Sequence, residues 1–170
     1  MIQLATKKDY PIILNLLRDS FPSDELRDDE LQLKVFLNPD YYPFIFKVDG
    51  VVKAIVSVWD LDGAFFIEHF AVDKSLRNNG LGTKILNEVC NKLNGDICLE
   101  VELPLNTISK RRIDFYLRNG FFANDYPYLQ PAYSKDKAEV PLMVLSYGKS
   151  LTEKEFSNFV KKVYKKVYNK

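Results

Sequence analysis

Two Asp-Gly pairs, at 49–50 and 62–63, constrain this chain more than any other feature. They separate three segments with the period-2 character of strands, Phe44–Val48, Val51–Trp59 and Ala64–Val72. Asp-Gly favours the positive φ that tight hairpin turns need, so the spacing predicts three consecutive antiparallel strands. Before them the period is helical. Thr6 or Asp9 can cap a first helix, Pro11 suits its first turn, and Ile12, Ile13, Leu16 and Leu17 form one apolar face. Phe21-Pro22 ends that helix, and a second segment around Leu31–Leu37 stops at Asn38-Pro39. Ile2–Ala5 reads as a short opening strand. After the strands come a helix over Leu81–Leu93 closed by Asn94-Gly95, a strand Ile97–Leu103 and a helix Lys110–Asn119 ended by Gly120. Phe121–Tyr128 and Leu142–Tyr147 are two further strands. This order predicts an α/β (α+β) fold with a mixed, mostly antiparallel sheet of about six to seven strands and helices on both faces.

A length of 170 residues suits one domain, and no repeat or low-complexity linker divides it. We expect residues 1–150 to form that domain and 151–170 to add an amphipathic helix packed on it. The charges nearly cancel, 24 basic against 23 acidic, so no global field argues for nucleic acid. A single histidine, His69, excludes multi-histidine metal sites, and no metal is expected. Cys90 and Cys98 lack CxxC spacing and lie in apolar runs, as buried reduced thiols do. The opening MIQLATKKDY has no basic segment followed by an apolar stretch, and no apolar run approaches the ~20 residues of a membrane helix. A cytoplasmic protein with no membrane partner is the expectation. In the tail, Thr152 caps a helix with Glu155 as capping-box partner, and Phe156, Phe159, Val160, Val163 and Val167 form its stripe. Its lysines are either a basic patch or a solvated face, and the stripe can pack in cis or across a homodimer.

The stretch from Phe66 to Lys84 carries the chemistry. A strand, Phe66–Val72, runs through a short loop into a helix N-terminus with glycines at 80 and 82. The first N–H groups of a helix lack helical partners and the dipole adds positive charge, so this is an anion cradle suited to a pyrophosphate. Glycines there let a phosphate approach without meeting a Cβ. GxxxxGK[ST] cannot be fitted, and Ile85 stands where GxGxxG needs its third glycine.

Arg77-x-x-Gly80-x-Gly82 after Glu68-His-Phe-Ala-Val72 resembles the acyl-CoA-binding motif of the GNAT (GCN5-related) N-acetyltransferases. Arg111-Arg-Ile-Asp-Phe-Tyr116-Leu-Arg-Asn-Gly120-Phe121 resembles that family's helix ending in Phe-Tyr-x-x-x-Gly-Phe. The resemblance spans the chain apart from its tail. It implies a GNAT-type sheet splayed at the acyl-CoA site, acetyl-CoA as co-substrate, and a small-molecule or peptide amine as acceptor. By the same resemblance, the backbone of Phe70, Ala71 and Val72 would hold the pantetheine arm. Arg77, Asn78, Asn79, Gly80, Leu81, Gly82 and Thr83 would wrap the pyrophosphate. Tyr116 would protonate the departing thiolate. Ser109 stands where many members carry an asparagine near the pantetheine.

The remaining chemistry is read from the residues. Attack by an amine needs a base, because a free alkylammonium has a pKa of ~10.4. Glu68, in an otherwise apolar strand, is the candidate, directly or through water, since burial would raise its pKa; the alternative is a glutamate at the surface end of the strand or one salt-bridged to an arginine such as Arg112. Alternation places Glu68 with Phe66, Phe70 and Val72, and His69 on the opposite face, where a satisfied core histidine is expected. Glu100 and Glu102 share one face of their strand, lining an acceptor cleft or facing solvent. Tyr128 belongs to an aromatic, proline-rich segment that either roofs the acceptor site or packs a strand end. The reading is an N-acetyltransferase acting by direct attack in a ternary complex; the alternative is an acyl-CoA-binding sensor or scaffold without efficient transfer. A ping-pong route would need Cys90 or Cys98.

Overall fold

The computed structural model describes residues 1–170. Its centre is the meander set by the Asp-Gly turns, with φ of +50° and +78° at Asp49 and Gly50 and +58° and +93° at Asp62 and Gly63. The strands are β1 (Gln3–Leu4), β2 (Tyr41–Val48), β3 (Val51–Asp60), β4 (Ala64–Val72), β5 (Asp96–Glu102), β6 (Phe121–Gln130) and β7 (Val140–Tyr147). They form one seven-stranded sheet in the order β1-β2-β3-β4-β5-β7-β6. Only β4 and β5 pair in parallel; every other pair is antiparallel.

The helices are α1 (Tyr10–Ser20), α2 (Asp29–Phe36), α3 (Leu81–Lys92), α4 (Thr107–Arg118) and α5 (Glu153–Lys166). Helix α4 starts three residues before the expected Lys110. Asn106 caps it by accepting from the Ser109 N–H at 2.9 Å, while the Ser109 hydroxyl closes the box on Asn106. The expected capping box of Thr152 and Glu155 is present at α5.

Each face of the sheet carries its own core. On one, α1, α2 and α5 bury Ile13, Leu17, Phe36, Phe156, Phe159 and Val163 against Trp59 and Phe66 of the sheet. On the other, α3 and α4 bury Ile85, Leu86, Val89, Ile113 and Tyr116 against Val56, Ile67 and Leu99. The stripe of α5 thus packs in cis. Lys166 ties this helix to Asp40 and Asp62 at 3.0 and 3.1 Å, while Lys161 and Lys165 face solvent. No helix is long and apolar enough to cross a membrane.

Because Phe159 is buried against Phe66, with ring centroids 6.0 Å apart, Phe159→Ala should lower unfolding free energy by about 3–5 kcal/mol. Lys161→Ala should stay within about 0.5 kcal/mol. Equal urea midpoints for the two variants would contradict a core role for α5.

Candidate active site

A one-residue irregularity opens the sheet. In β4, His69 pairs with Ser57 and Ile67 with Val58, so Glu68 is an extra residue, a bulge. Bulges re-aim side chains and end pairing. Strands β4 and β5 pair over Ala64–Ile67 and Asp96–Leu99, then part. Beyond that point Phe70, Ala71 and Val72 keep only β3, and Glu100, Val101 and Glu102 keep only β7. The gap is the floor of a cleft of about 730 Å³ that also reaches α4, the end of α1 and the start of α3.

At one end the cleft meets the α3 N-terminus. Gly80 has φ +79° and Asn78 +66°, the left-handed backbone that folds the loop into the helix. A Cβ on Gly80 would meet nothing, so this glycine answers to backbone conformation, not to crowding. A Cβ on Gly82 would lie 3.6 Å from the Phe115 ring, an ordinary contact. The Leu81 N–H is taken by Asn79 Oδ1 at 3.1 Å, so Asn79 and Leu81 satisfy each other and neither lines the cleft. The N–H groups of Gly82 and Thr83 have no acceptor in the chain. Arg77 lies beside them, its Nε donating to the Val72 carbonyl at 2.9 Å. Arg111 and Arg118 also line the cleft, on the same helical stripe as Phe115. Those two were missed by sequence reasoning, although their spacing from Phe115 was readable. Ser109 is a correction: it is buried, its hydroxyl serves the α4 cap, and it does not line the cleft.

At the centre stands Tyr116, buried on the α4 stripe and reaching the cleft wall. Burial pushes its phenol above the usual tyrosine value, so it is protonated at neutral pH.

Glu68 lines the cleft, but the expectation of a pKa raised by burial is overturned. Its side chain is 1% exposed and meets Arg27 Nη1 at 2.7 Å. Its carboxylate accepts from Trp59 Nε1 at 2.9 Å and from the Tyr133 hydroxyl at 2.8 Å. Burial pushes this carboxyl up, but Arg27 and the two donors outweigh it, and the pKa falls below the ordinary range. A carboxylate so held is a poor proton acceptor. The ion pair is with Arg27, not Arg112, which pairs with Glu102. The bulge also defeats the alternation: Glu68 and His69 both face α1, α2 and α5, while Phe70 and Val72 face α3 and α4. His69 donates from Nε2 to the Glu25 carbonyl at 2.9 Å. Burial holds it neutral.

Two other carboxyls have the raised pKa expected of Glu68. Glu100 lines the cleft and accepts from the hydroxyls of Tyr128 and Tyr168; burial pushes its pKa up to about 8. Glu25, from the 3-10 turn Ser23–Glu25, is pushed up to about 7 by burial and by Glu102. Glu25 was not singled out from the sequence, since nothing local marks a loop glutamate as buried against a strand 77 positions on. Tyr128 does not line the cleft; it supports Glu100 from behind. With Asp19 and Glu102 these groups make this end acidic, while Arg77, Arg111 and Arg118 stand along the other.

Glu68→Gln strands the buried Arg27 charge and should cost about 3–5 kcal/mol of stability, read as a fall in the urea midpoint. The double change Arg27→Met with Glu68→Gln should recover much of that loss. A single variant as stable as the parent would remove the structural role given to this pair.

A family model described as the acetyltransferase (GNAT) family matches residues 10–121. Among solved structures, a GNAT-family acetyltransferase from Bacteroides thetaiotaomicron superposes with TM-score 0.92 at 32% identity, covering 100% of this chain and 99% of that one. The ribosomal-protein-S18-alanine N-acetyltransferase of Escherichia coli gives TM-score 0.67 at 18% identity, covering 89% and 95%. A GNAT acetyltransferase from Elizabethkingia anophelis with acetyl-CoA bound gives 0.62 at 18% identity, covering 86% and 96%. Comparison with curated proteins found no match. With a parted sheet, an open helix N-terminus and the motif order in agreement, the chain belongs to the GNAT acetyltransferase family.

Proposed function

We propose that this protein transfers the acetyl group of acetyl-CoA to a primary amine by direct attack in a ternary complex. One observation carries the reading. A single cleft runs from the unsatisfied N–H groups of Gly82 and Thr83, past the unpaired edge of β4 and Tyr116, to the acidic end at Glu100 and Glu25. The first part suits a pyrophosphate, and the last brings proton-accepting carboxyls to an amine.

Acetyl-CoA supplies the activated acyl group when bound. Gly82, Thr83, Arg77, Arg111 and Arg118 would hold its phosphates, and the Phe70–Val72 backbone would take the pantetheine arm. Glu100, with a pKa of about 8, is matched to remove a proton from the attacking amine near neutral pH. Tyr116 is protonated and is a donor for the departing sulfur. Both thiols favour direct attack over a cysteine-linked route: Cys90 and Cys98 are buried, outside the cleft lining, and pushed up to about 12 by burial.

Acetyl-CoA at about a hundred times its dissociation constant should stabilise the protein by roughly 2.7 kcal/mol, read as a thermal shift. Arg77→Ala and Arg118→Ala should weaken that response; no shift at millimolar ligand would overturn the reading. In an amine screen, Tyr116→Phe should lower kcat by about a hundredfold or more with acetyl-CoA binding kept. The base must be ionised to act, so kcat/KM should rise with pH along a limb near 8. A parent that binds acetyl-CoA but turns over no amine would instead favour a sensor domain.

A further inference from the structure

Glu100 owes its orientation to residues that lie outside the segment matched by the family model. The Tyr168 hydroxyl donates to Glu100, lying 2.9 Å from Oε2 and 3.1 Å from Oε1, and the Tyr128 hydroxyl donates to Oε1. Tyr168 is buried in the turn after α5, only two residues from the last residue, Lys170.

That turn is itself pinned. Arg27, whose Nη1 meets Glu68, donates from Nη2 to the Val167 carbonyl at 3.1 Å. Its guanidinium also lies 4.5 Å from the centre of the Tyr133 ring, and Tyr133 packs on Tyr168 with ring centroids 5.0 Å apart. The Tyr168 backbone N–H reaches the Val163 carbonyl, which keeps the residue against the helix it follows. So the last turn is held from two sides, with its hydroxyl directed at one carboxyl of the cleft.

We infer that Tyr168, supported by Tyr128, is a positioning residue for Glu100, and that the C-terminal turn is thereby part of the catalytic apparatus. This rests on Glu100 being the base proposed above. The physical reason is directional. A carboxyl at a strand end, free of such donors, would rotate and would present either oxygen to the cleft. With Tyr168 on both oxygens and Tyr128 on Oε1, its orientation in the cleft wall is fixed. Phenol donors also favour the ionised form, so they hold the base in reach of neutral pH against the burial that opposes ionisation. The other groups facing Glu100 are Tyr133, Tyr164, Glu68 and Glu25; the two carboxylates raise its pKa and supply no donor.

The test is the pH dependence of kcat/KM for the full chain with acetyl-CoA and an amine found by screening. Tyr168→Phe removes the hydroxyl and keeps the ring. It should move the acidic limb up by about one pH unit, lowering the rate about tenfold at pH 7 and leaving it near the parent's above that limb. In a Glu100→Gln background the same substitution should leave the residual rate unchanged. Tyr128→Phe should act in the same direction, and it stands in if Tyr168→Phe fails to fold by thermal unfolding. A Tyr168→Phe profile that superimposes on the parent's, or that falls by the same factor at every pH, would overturn the inference while Glu100→Gln still lowered turnover by about a hundredfold or more. Full activity of Glu100→Gln would instead remove Glu100 as the base, and the inference with it.

Discussion

Arg27 and Glu68 meet at 2.7 Å inside the protein, with 4% and 1% of their side chains exposed. Removing two such charges from water costs several kcal/mol each, and their attraction offsets this only when the remaining lone pairs and protons are satisfied. Here Trp59 and Tyr133 donate to the carboxylate, and the guanidinium lies near both rings and on the Val167 carbonyl. The pair therefore binds three distant parts of the chain: the segment before α2, the bulge in β4 and the turn that ends α5. The C-terminal end of a helix carries partial negative charge, so a buried cation there is favourable as well.

The bulge and the parting of the strands follow from the same arrangement. A regular β4 would turn Glu68 and His69 to opposite faces and would leave no reason for β5 to diverge at Glu100. With one extra residue, both side chains turn toward the α1, α2 and α5 face, and the ladder to β5 stops after Ile67 and Leu99. A gap lined by unpaired backbone on one side and carboxyls on the other is then available to a ligand. The acidic end is acidic because β5 brings Glu100 and Glu102 across from the 3-10 turn that carries Glu25. The basic end is set by α4, whose stripe carries Arg111, Phe115 and Arg118 past the start of α3.

Much of the fold was legible because its signals are local. The Asp-Gly turns, the period-2 strands, the Thr152–Glu155 capping box and the glycine-marked start of α3 each depend on residues a few positions apart. The α4 start was misjudged because Asn106 and Ser109 cap through a box without the usual acidic partner. For the cleft, motif order already marked the α3 start and Tyr116, both of which line it. The family resemblance points to Ser109 as a ligand contact, but it cannot say whether a hydroxyl is already engaged, as this one is by the α4 cap. An isolated acid in an apolar strand, as Glu68 is, signals something unusual. The cause was a buried partner 41 positions away, and neither the alternation nor any motif could reveal it across a bulge.

The sequence by itself determined a mixed, mostly antiparallel α/β layout, the family and the helix start that glycines 80 and 82 mark. These follow from chain-local periodicity, turn chemistry and helix ends, which hold whatever the chain packs against. Only the tertiary structure decided which carboxyl is held as a salt bridge and which is left without a cation. Ionisation depends on the groups that converge from other elements: Arg27 lowers Glu68, while Glu100, buried without a cation, rises to about 8. A pKa is a property of three-dimensional neighbours, and those neighbours here come from residues 27, 128 and 168, far apart in the chain.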